Sequence, residues 1–513
     1  MASHRTTPEE VNSGTALQAK TNSTADNQTL TDSAKEFLRV EDVSDGQTPA
    51  NLQADISVTN ANSLNPHDWP RSKKWLTVAI AAMFTFLSPI SSSMVAPALP
   101  AMAIDLGLNT TIEVEMTMSI FILAYALGPF IAAPLSEVYG RYKILMVSIL
   151  VFVLFNLACG FAKTTAQILV FRFLAGLGGS APIAISGSII TDLFDRSEMG
   201  SAMAYYGLGV ILAPAIGPII GGIMTQNTSW HWVFYVVSII TAVVAIFGIV
   251  VMPETYRPYL ESQARKVAAA KDPLFVTNHR ELPMSVILTT AIFRPFILLG
   301  TQPIAQVIAL YMAFVYGIMY IVLTTYSSLF VLEYGETSQT SSFHYVALGL
   351  GFVVGNRLSG SLIDYSSEYL QKRYNTPHMP EYRLPVAIPA ALALPIGLFI
   401  YGWAAEYNWH WVVVDIGIAI FSCAVIIIFQ ALTVYTVDVY TLYSASALAA
   451  VSFLRSVAGF GFPLFATSMY AQLGYGWGNS VLAFIGLGIG IPAPILLFVY
   501  GARIRAKSKF ASG

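Results

Sequence analysis

Gly128-Pro-Phe-Ile-Ala-Ala-Pro-Leu-Ser-Glu-Val-Tyr-Gly-Arg-Tyr-Lys143 sets glycyl and prolyl breaks, a carboxylate and two cations between two long apolar runs. Glu137, Arg141 and Lys143 would be costly in hydrocarbon. They are stable where a short membrane hairpin surfaces, and there they can pair with one another and with helix ends. The stretch therefore reads as a tight charged loop, turning at Gly140, on one face of a membrane.

The rest of the chain supports a bilayer setting. Of its 513 residues 55% are apolar and only 11% are charged, where a soluble chain would carry about 25% charged residues. Mean hydropathy is +0.62. Apolar runs long enough to cross a roughly 30 Å hydrocarbon core as helices recur along it. A net charge of −2 excludes a nucleic-acid partner. Cys159 and Cys423 both lie in apolar runs and read as buried thiols, neither disulfide-forming nor metal-binding. The phosphate-binding loop, the His-Glu-x-x-His pair and the Gly-x-Ser-x-Gly turn are all missing, so no cofactor, metal or enzymatic activity is expected. Any work done must draw on a gradient across the lipid bilayer.

Twelve spans are expected: 75–96, 114–136, 143–162, 167–190, 202–224, 232–252, 303–332, 342–362, 385–405, 411–435, 444–470 and 479–501. Of the 27 Lys and Arg residues, four lie in the distal tail, Arg172 and Arg455 fall inside spans, and Lys163 alone lies in a loop on one face. All others sit in alternate loops or beside the outer ends of the set, which predicts that both termini are cytoplasmic. The expected organisation is a disordered cytoplasmic tail over 1–73, a six-helix bundle over 74–252, and a central cytoplasmic loop over 253–300. A second six-helix bundle over 301–502 and a basic tail over 503–513 complete it. Within the central loop, 284–300 is apolar enough to lie on the membrane surface as a helix. Sequons at Asn109 and Asn227 fall in outward loops and are candidate glycosylation sites.

Several intramembrane residues are candidates for chemistry. Arg172, about five residues into the fourth span, reads either as a polar switch acting on proton or substrate binding or as a structural Arg bonding backbone carbonyls. Asp415 lies about 6 Å below the start of the tenth span. It is a hydrated interfacial acid or, if turned to the centre, a proton or cation site. Arg455 suits a structural role, with Asp438 a plausible partner. The first span carries Ser88, Ser91, Ser92 and Ser93 but no acid, and no obvious proton-carrying carboxylate stands mid-membrane in the first half. Tyr316 and Tyr320 share a helical face, and Gln430 lies midway through the tenth span. Such groups suit a pocket for bulky, partly apolar or cationic solutes. In the fifth span, which opens its motif at Gly209, Ala213, Gly217 and Gly221 form a stripe of small residues that admits a neighbouring backbone, and Pro214 and Pro218 add bends.

These features together resemble the major facilitator superfamily, in particular its fungal twelve-span drug:proton antiporter branch. The carriers of the resemblance are 128–143, Arg172 with Gly176, and 209–222. Pro253-Glu-Thr-Tyr256, Pro380-Glu-Tyr-Arg-Leu-Pro385, Tyr435-Thr-Val-Asp-Val-Tyr440, Ser444-Ala-Ser-Ala-Leu-Ala-Ala450, Arg455-Ser456 and Phe462-Pro-Leu-Phe465 join them. The resemblance implies an all-α membrane protein of two six-helix bundles, functional as a monomer in the cell membrane. It also implies alternating access, with inward proton flow driving export of a small molecule such as a drug, a polyamine or a self-made toxic metabolite. Import or facilitated diffusion is the alternative. By the same token Glu137, Gly140, Arg141 and Lys143 would gate, Arg172 and Asp415 would couple, and Tyr316, Tyr320 and Gln430 would line the cavity. Glu137 stands where the wider superfamily has Asp, and Thr324-Thr-Tyr-Ser-Ser328 lacks the expected Phe-Pro.

Overall fold

The computed structural model describes residues 65–271, 284–376, 379–508 and 510–511. Most of the expected disordered tail, 1–64, lies outside the described residues. The first helix opens at Arg71, so Lys73 and Lys74 occupy its first turn rather than a tail. Twelve segments are long and apolar enough to cross a membrane. They are Arg71–Leu106, Thr111–Tyr139, Arg141–Cys159, Thr165–Leu193, Glu198–Asn227, His231–Val251, Pro303–Leu332, Ser338–Tyr374, Pro380–Glu406, Trp411–Val439, Thr441–Gly461 and Pro463–Arg505. They are arranged as two six-helix bundles.

Local chemistry sets the ends. Thr110 and Glu113 form a reciprocal capping box that starts the second span. Gly140, at φ 95°, turns it into the third without a bridging loop. The helix Met284–Thr301 runs into the seventh span, and its Phe296 packs on Phe130 of the second span and Phe453 of the eleventh at 5.2 and 5.1 Å.

The last two spans need their boundary moved. Phe462 has helical dihedrals (φ −66°, ψ −43°), so the chain continues through Pro463, which removes only one backbone donor. The reversal comes at Gly474 (φ 72°, ψ 172°). Across it the Tyr470 and Tyr475 rings stack at 4.7 Å, and the Tyr470 hydroxyl donates to Asn479 Oδ1 at 3.0 Å. In a straight helix residues nine apart stand roughly 13 Å apart along the axis. The eleventh span therefore ends at Gly474, close to the expected 471–478 turn.

Burial separates centre from rim. In the most apolar stretch of the first and seventh spans 78% and 83% of residues are buried, against 28% in the third and 33% in the sixth. The first and seventh therefore line the middle, and the third and sixth face lipid. Glycines let helices touch: a β-carbon at Gly178 would run into the backbone of Phe152 and Ser148. Gly178→Val should therefore lower the thermal midpoint of the purified protein, since overpacking costs about 1–3 kcal/mol. Gly187→Val, with nothing within 4 Å of its β-carbon, should leave it unchanged. Equal midpoints for the two variants in a thermal-shift assay would refute this packing.

Candidate functional site

At the basic end of the first half, one carboxylate organises the turn. Glu254 accepts the backbone N–H of Arg141 (2.9 Å), Tyr142 (3.2 Å), Thr255 (3.0 Å) and Tyr256 (3.0 Å). It lies against Gly140, where a β-carbon would strike it. Arg141, 7% exposed, donates from Nε to Asp192 at 2.8 Å and from Nη1 to Ser136 at 3.2 Å, beneath the Tyr256 ring at 4.7 Å. Burial pushes the Tyr256 phenol up, so the ring over the guanidinium is neutral. Lys143 donates to the Tyr259 hydroxyl at 2.7 Å.

Of the groups expected to pair with one another in this loop, Arg141 takes Asp192 and not Glu137 as its ion-pair partner. Glu137 is exposed, and an exposed ion pair contributes little, whereas Asp192 at the end of the fourth span is half-buried beside the guanidinium. A carboxylate closing an apolar span was the available signal for Asp192.

Arg172 is fully buried. Its donors reach the carbonyls of Thr117 (3.0 Å), Ser91 (3.1 Å) and Ser92 (3.4 Å), and Phe121 lies 4.6 Å from the guanidinium. Ser91 and Ser92 end the helix Arg71–Ser93, where carbonyls lack intrahelical donors. Alongside, Ser91 donates to Asn156, which donates to Phe234 O and Ser238. The stripe of the fifth span faces this same helix. Ser93 Oγ donates to the Ala213 carbonyl at 3.2 Å, and a β-carbon at Gly217 or Gly221 would collide with Ser93 or Met94. Gly209 lies against Phe86, and Pro214 and Pro218 sit inside the helix.

Aromatic rings and one cation gather between the halves. Tyr316 and Tyr320 stand 4.9 Å apart, with Phe429 at 6.0 Å from Tyr316. The Arg455 guanidinium lies 4.8 Å over Tyr316, and its buried Nε has no hydrogen-bond partner among the described residues. From the first half comes Tyr125, whose hydroxyl is 2.5 Å from Ser88 Oγ. Ser88 donates its only hydrogen to Gly179 O (2.7 Å), so Tyr125 donates to Ser88.

Two expectations fail here. Gln430 turns to Asn356 of the eighth span (3.3 Å) instead of joining the tyrosines. Its neighbour Phe429, about 100° round the helix, takes that place. Asp438 pairs with Arg383 at 2.6 Å rather than with Arg455, which lies about 17 Å further into the bilayer along its own helix.

Asp415 is likewise not a freely hydrated acid. It accepts the Tyr326 hydroxyl at 2.6 Å and meets His344 Nδ1 at 3.0 Å, while His344 Nε2 meets Glu336 at 3.2 Å. The imidazole stacks on Phe330 at 3.6 Å. His344 and Glu336, missed in the sequence, come from the start of the eighth span and from the link before it, which reach the start of the tenth. Both sequon asparagines are exposed; Asn227 donates from Nδ2 to Ile223 O (2.7 Å) and Gln339 (3.3 Å).

Removing one partner of a buried ion pair costs about 3–5 kcal/mol. Asp192→Asn should therefore lower the thermal midpoint by several times the effect of Glu137→Gln, and thermal-shift measurement of both variants checks it.

The Major Facilitator Superfamily sequence profile matches residues 81–463. An uncharacterized transporter of Schizosaccharomyces pombe is 40% identical over 448 residues, covering 86% of this chain and 91% of that protein. The efflux pump vrtL of Penicillium aethiopicum is 40% identical over 452 residues, covering 88% and 90%. Among solved structures, the inward-open xylose transporter XylE of E. coli superposes with a TM-score of 0.63 at 12% identity, covering 83% of this chain and 95% of that one. With twelve spans in two bundles and a profile match across most of its length, the chain belongs to the Major Facilitator Superfamily of membrane transporters.

Proposed function

We propose that this transporter is a proton-coupled exporter of small organic molecules, working by alternating access as a monomer in the cell membrane with both termini in the cytoplasm. The observation that carries this reading is an aromatic cluster shared by the halves: Tyr125 comes from one and Tyr316, Phe429 and Arg455 from the other. A solute held there touches both halves, so parting them on one face and then the other moves it across. Ring faces with a guanidinium that has a donor to spare suit flat, partly apolar compounds bearing carbonyl or acidic oxygens. Efflux-pump relatives in fungi support export. The one-sided distribution of Lys and Arg supports cytoplasmic termini.

The closed end also fits. At the face opposite Arg141 the halves are hydrogen-bonded to each other, Thr467 to Glu115 at 2.7 Å and Asn227 to Gln339 at 3.3 Å. At the basic face the named ion pairs stay within one half: Arg141 with Asp192, Arg383 with Asp438, and Arg505 with Glu381. A seam held by hydrogen bonds at that face and by ring contacts such as Phe130 on Phe453 toward the basic one fits an exporter that loads from the cytoplasm.

The test is uptake into inside-out vesicles carrying an acidic lumen, with a panel of aromatic fungal metabolites and cationic dyes. Accumulation should collapse with a protonophore, and Arg455→Ala should raise the half-saturating concentration roughly tenfold, the loss of a desolvated cation–π contact. Transport that persists without the gradient would refute coupling. Accumulation only in right-side-out vesicles would make the protein an importer.

A further inference from the structure

Glu115 is the fifth residue of the second span, about 6 Å below its start. It is not needed for capping, because Glu113 already takes the Asn109 and Thr110 N–H groups. Its side chain is instead shut between the two halves: the residue is 5% exposed, and Oε1 accepts from Thr467 of the eleventh span at 2.7 Å. Oε2 is buried without a hydrogen-bond partner. Thr324 of the seventh span stands beside the carboxyl but donates its hydrogen to Ile321 O at 3.0 Å.

The charged and titratable groups on the elements around it are turned elsewhere. Glu113, on the same helix, is exposed in the cap. Arg172 of the fourth span reaches the second at Thr117, roughly 200° round the helix from Glu115. Arg455 of the eleventh span lies over Tyr316, and Tyr320 of the seventh lies against Tyr316. A carboxylate sealed from water with hydroxyls alone for company is costly as an anion. As the neutral acid it keeps the Thr467 bond, with Thr324 beside the carboxyl, and no buried charge is left uncompensated.

We propose that Glu115 is a proton-binding group of the transport cycle, taking up a proton from the Asn109 face as the second, seventh and eleventh spans close over it and giving it up toward the basic face before they part again. This rests on the proton-coupled reading above and supplies it with a named acid. A proton held in one conformation and not the other shifts their ratio by about tenfold per pH unit. Acid on the Asn109 face then favours closing that face, the step that must follow substrate release in an exporter driven by inward protons.

The experiment uses the full chain in lipid nanodiscs, with spin labels on Thr228→Cys and Thr340→Cys in a Cys423→Ala background. Distances across the Asn109 face are measured by double electron–electron resonance from about pH 5 to about pH 9. The wild-type side chain should give a closed population that grows as pH falls, with the slope of one proton. Glu115→Gln should stay closed throughout, and Glu115→Asp should keep the slope with a moved midpoint. An infrared band of a protonated carboxyl should be present in the parent and missing from Glu115→Gln. A parent without a slope, or a Glu115→Gln protein with the parental slope and band, overturns the assignment. Should Glu115→Gln fail to fold, an unmoved midpoint in Glu115→Asp and in Thr467→Val overturns it equally. Loss of gradient-driven export with the Glu115 slope intact would instead sink proton-coupled transport and leave this protonation standing.

Discussion

A polar group inside a bilayer has no water to fall back on, and this constraint orders nearly everything in the fold. Arg172 resolves it by serving the loose carbonyls at the end of the first helix, so one side chain ties the first, second and fourth spans together. Asn156 does the same between the first, third and sixth. Arg141 resolves it with Asp192, and Asp415 with His344 and Tyr326. Each arrangement lies within one half. The bundles are thereby made firm internally by their polar groups, and the surface between them is left mostly to aromatic rings and small residues, with polar groups such as Glu115, Thr467, Arg455, Asn227 and Gln339 among them.

That division suits a machine whose halves must part repeatedly. Between them the second span meets the eleventh through Phe130 and Phe453 at 5.8 Å and through Glu115 and Thr467. The fifth meets the eighth where Gly349 lies against Ala215, and it meets the short helix Ser338–Phe343 where Gly222 lies against Ser342. Ring and methyl contacts of this kind are individually weak and reform easily, whereas a buried inter-half ion pair would have to be broken and desolvated again in every cycle.

The architecture was legible in the sequence because hydrophobic length and charge placement are local properties. Runs of apolar residues marked twelve spans, and Gly140 with its flanking charges marked the tightest turn. Partnerships were not legible, because they depend on which helices lie side by side. The charges at the second turn were expected to pair among themselves or with helix ends, and Arg141 chose Asp192, fifty-one residues away. Asp438 was assigned to Arg455 and chose Arg383. Glu115 went unnoticed because a carboxylate in the first turns of a helix ordinarily serves the cap. Its neighbour Glu113 does so, and only the approach of Thr467 from the other half reveals that Glu115 does not. Tyr316 and Tyr320 were legible as a shared helical face, while Phe429 stood in for Gln430 because a single residue's rotation on a helix is beyond what spacing can resolve.

The four N–H groups gathered on Glu254 have a mechanical meaning. They join the start of the third span to the chain leaving the sixth, so the loudest loop in the sequence is bolted down at its far side. With Arg141 fastened to the fourth span at the same corner, that end of the first bundle has no slack. A push delivered at the far end through the second span is passed along its whole length as a lever passes torque, without being absorbed by a bending loop. The give in the molecule must therefore lie in the seams between the bundles.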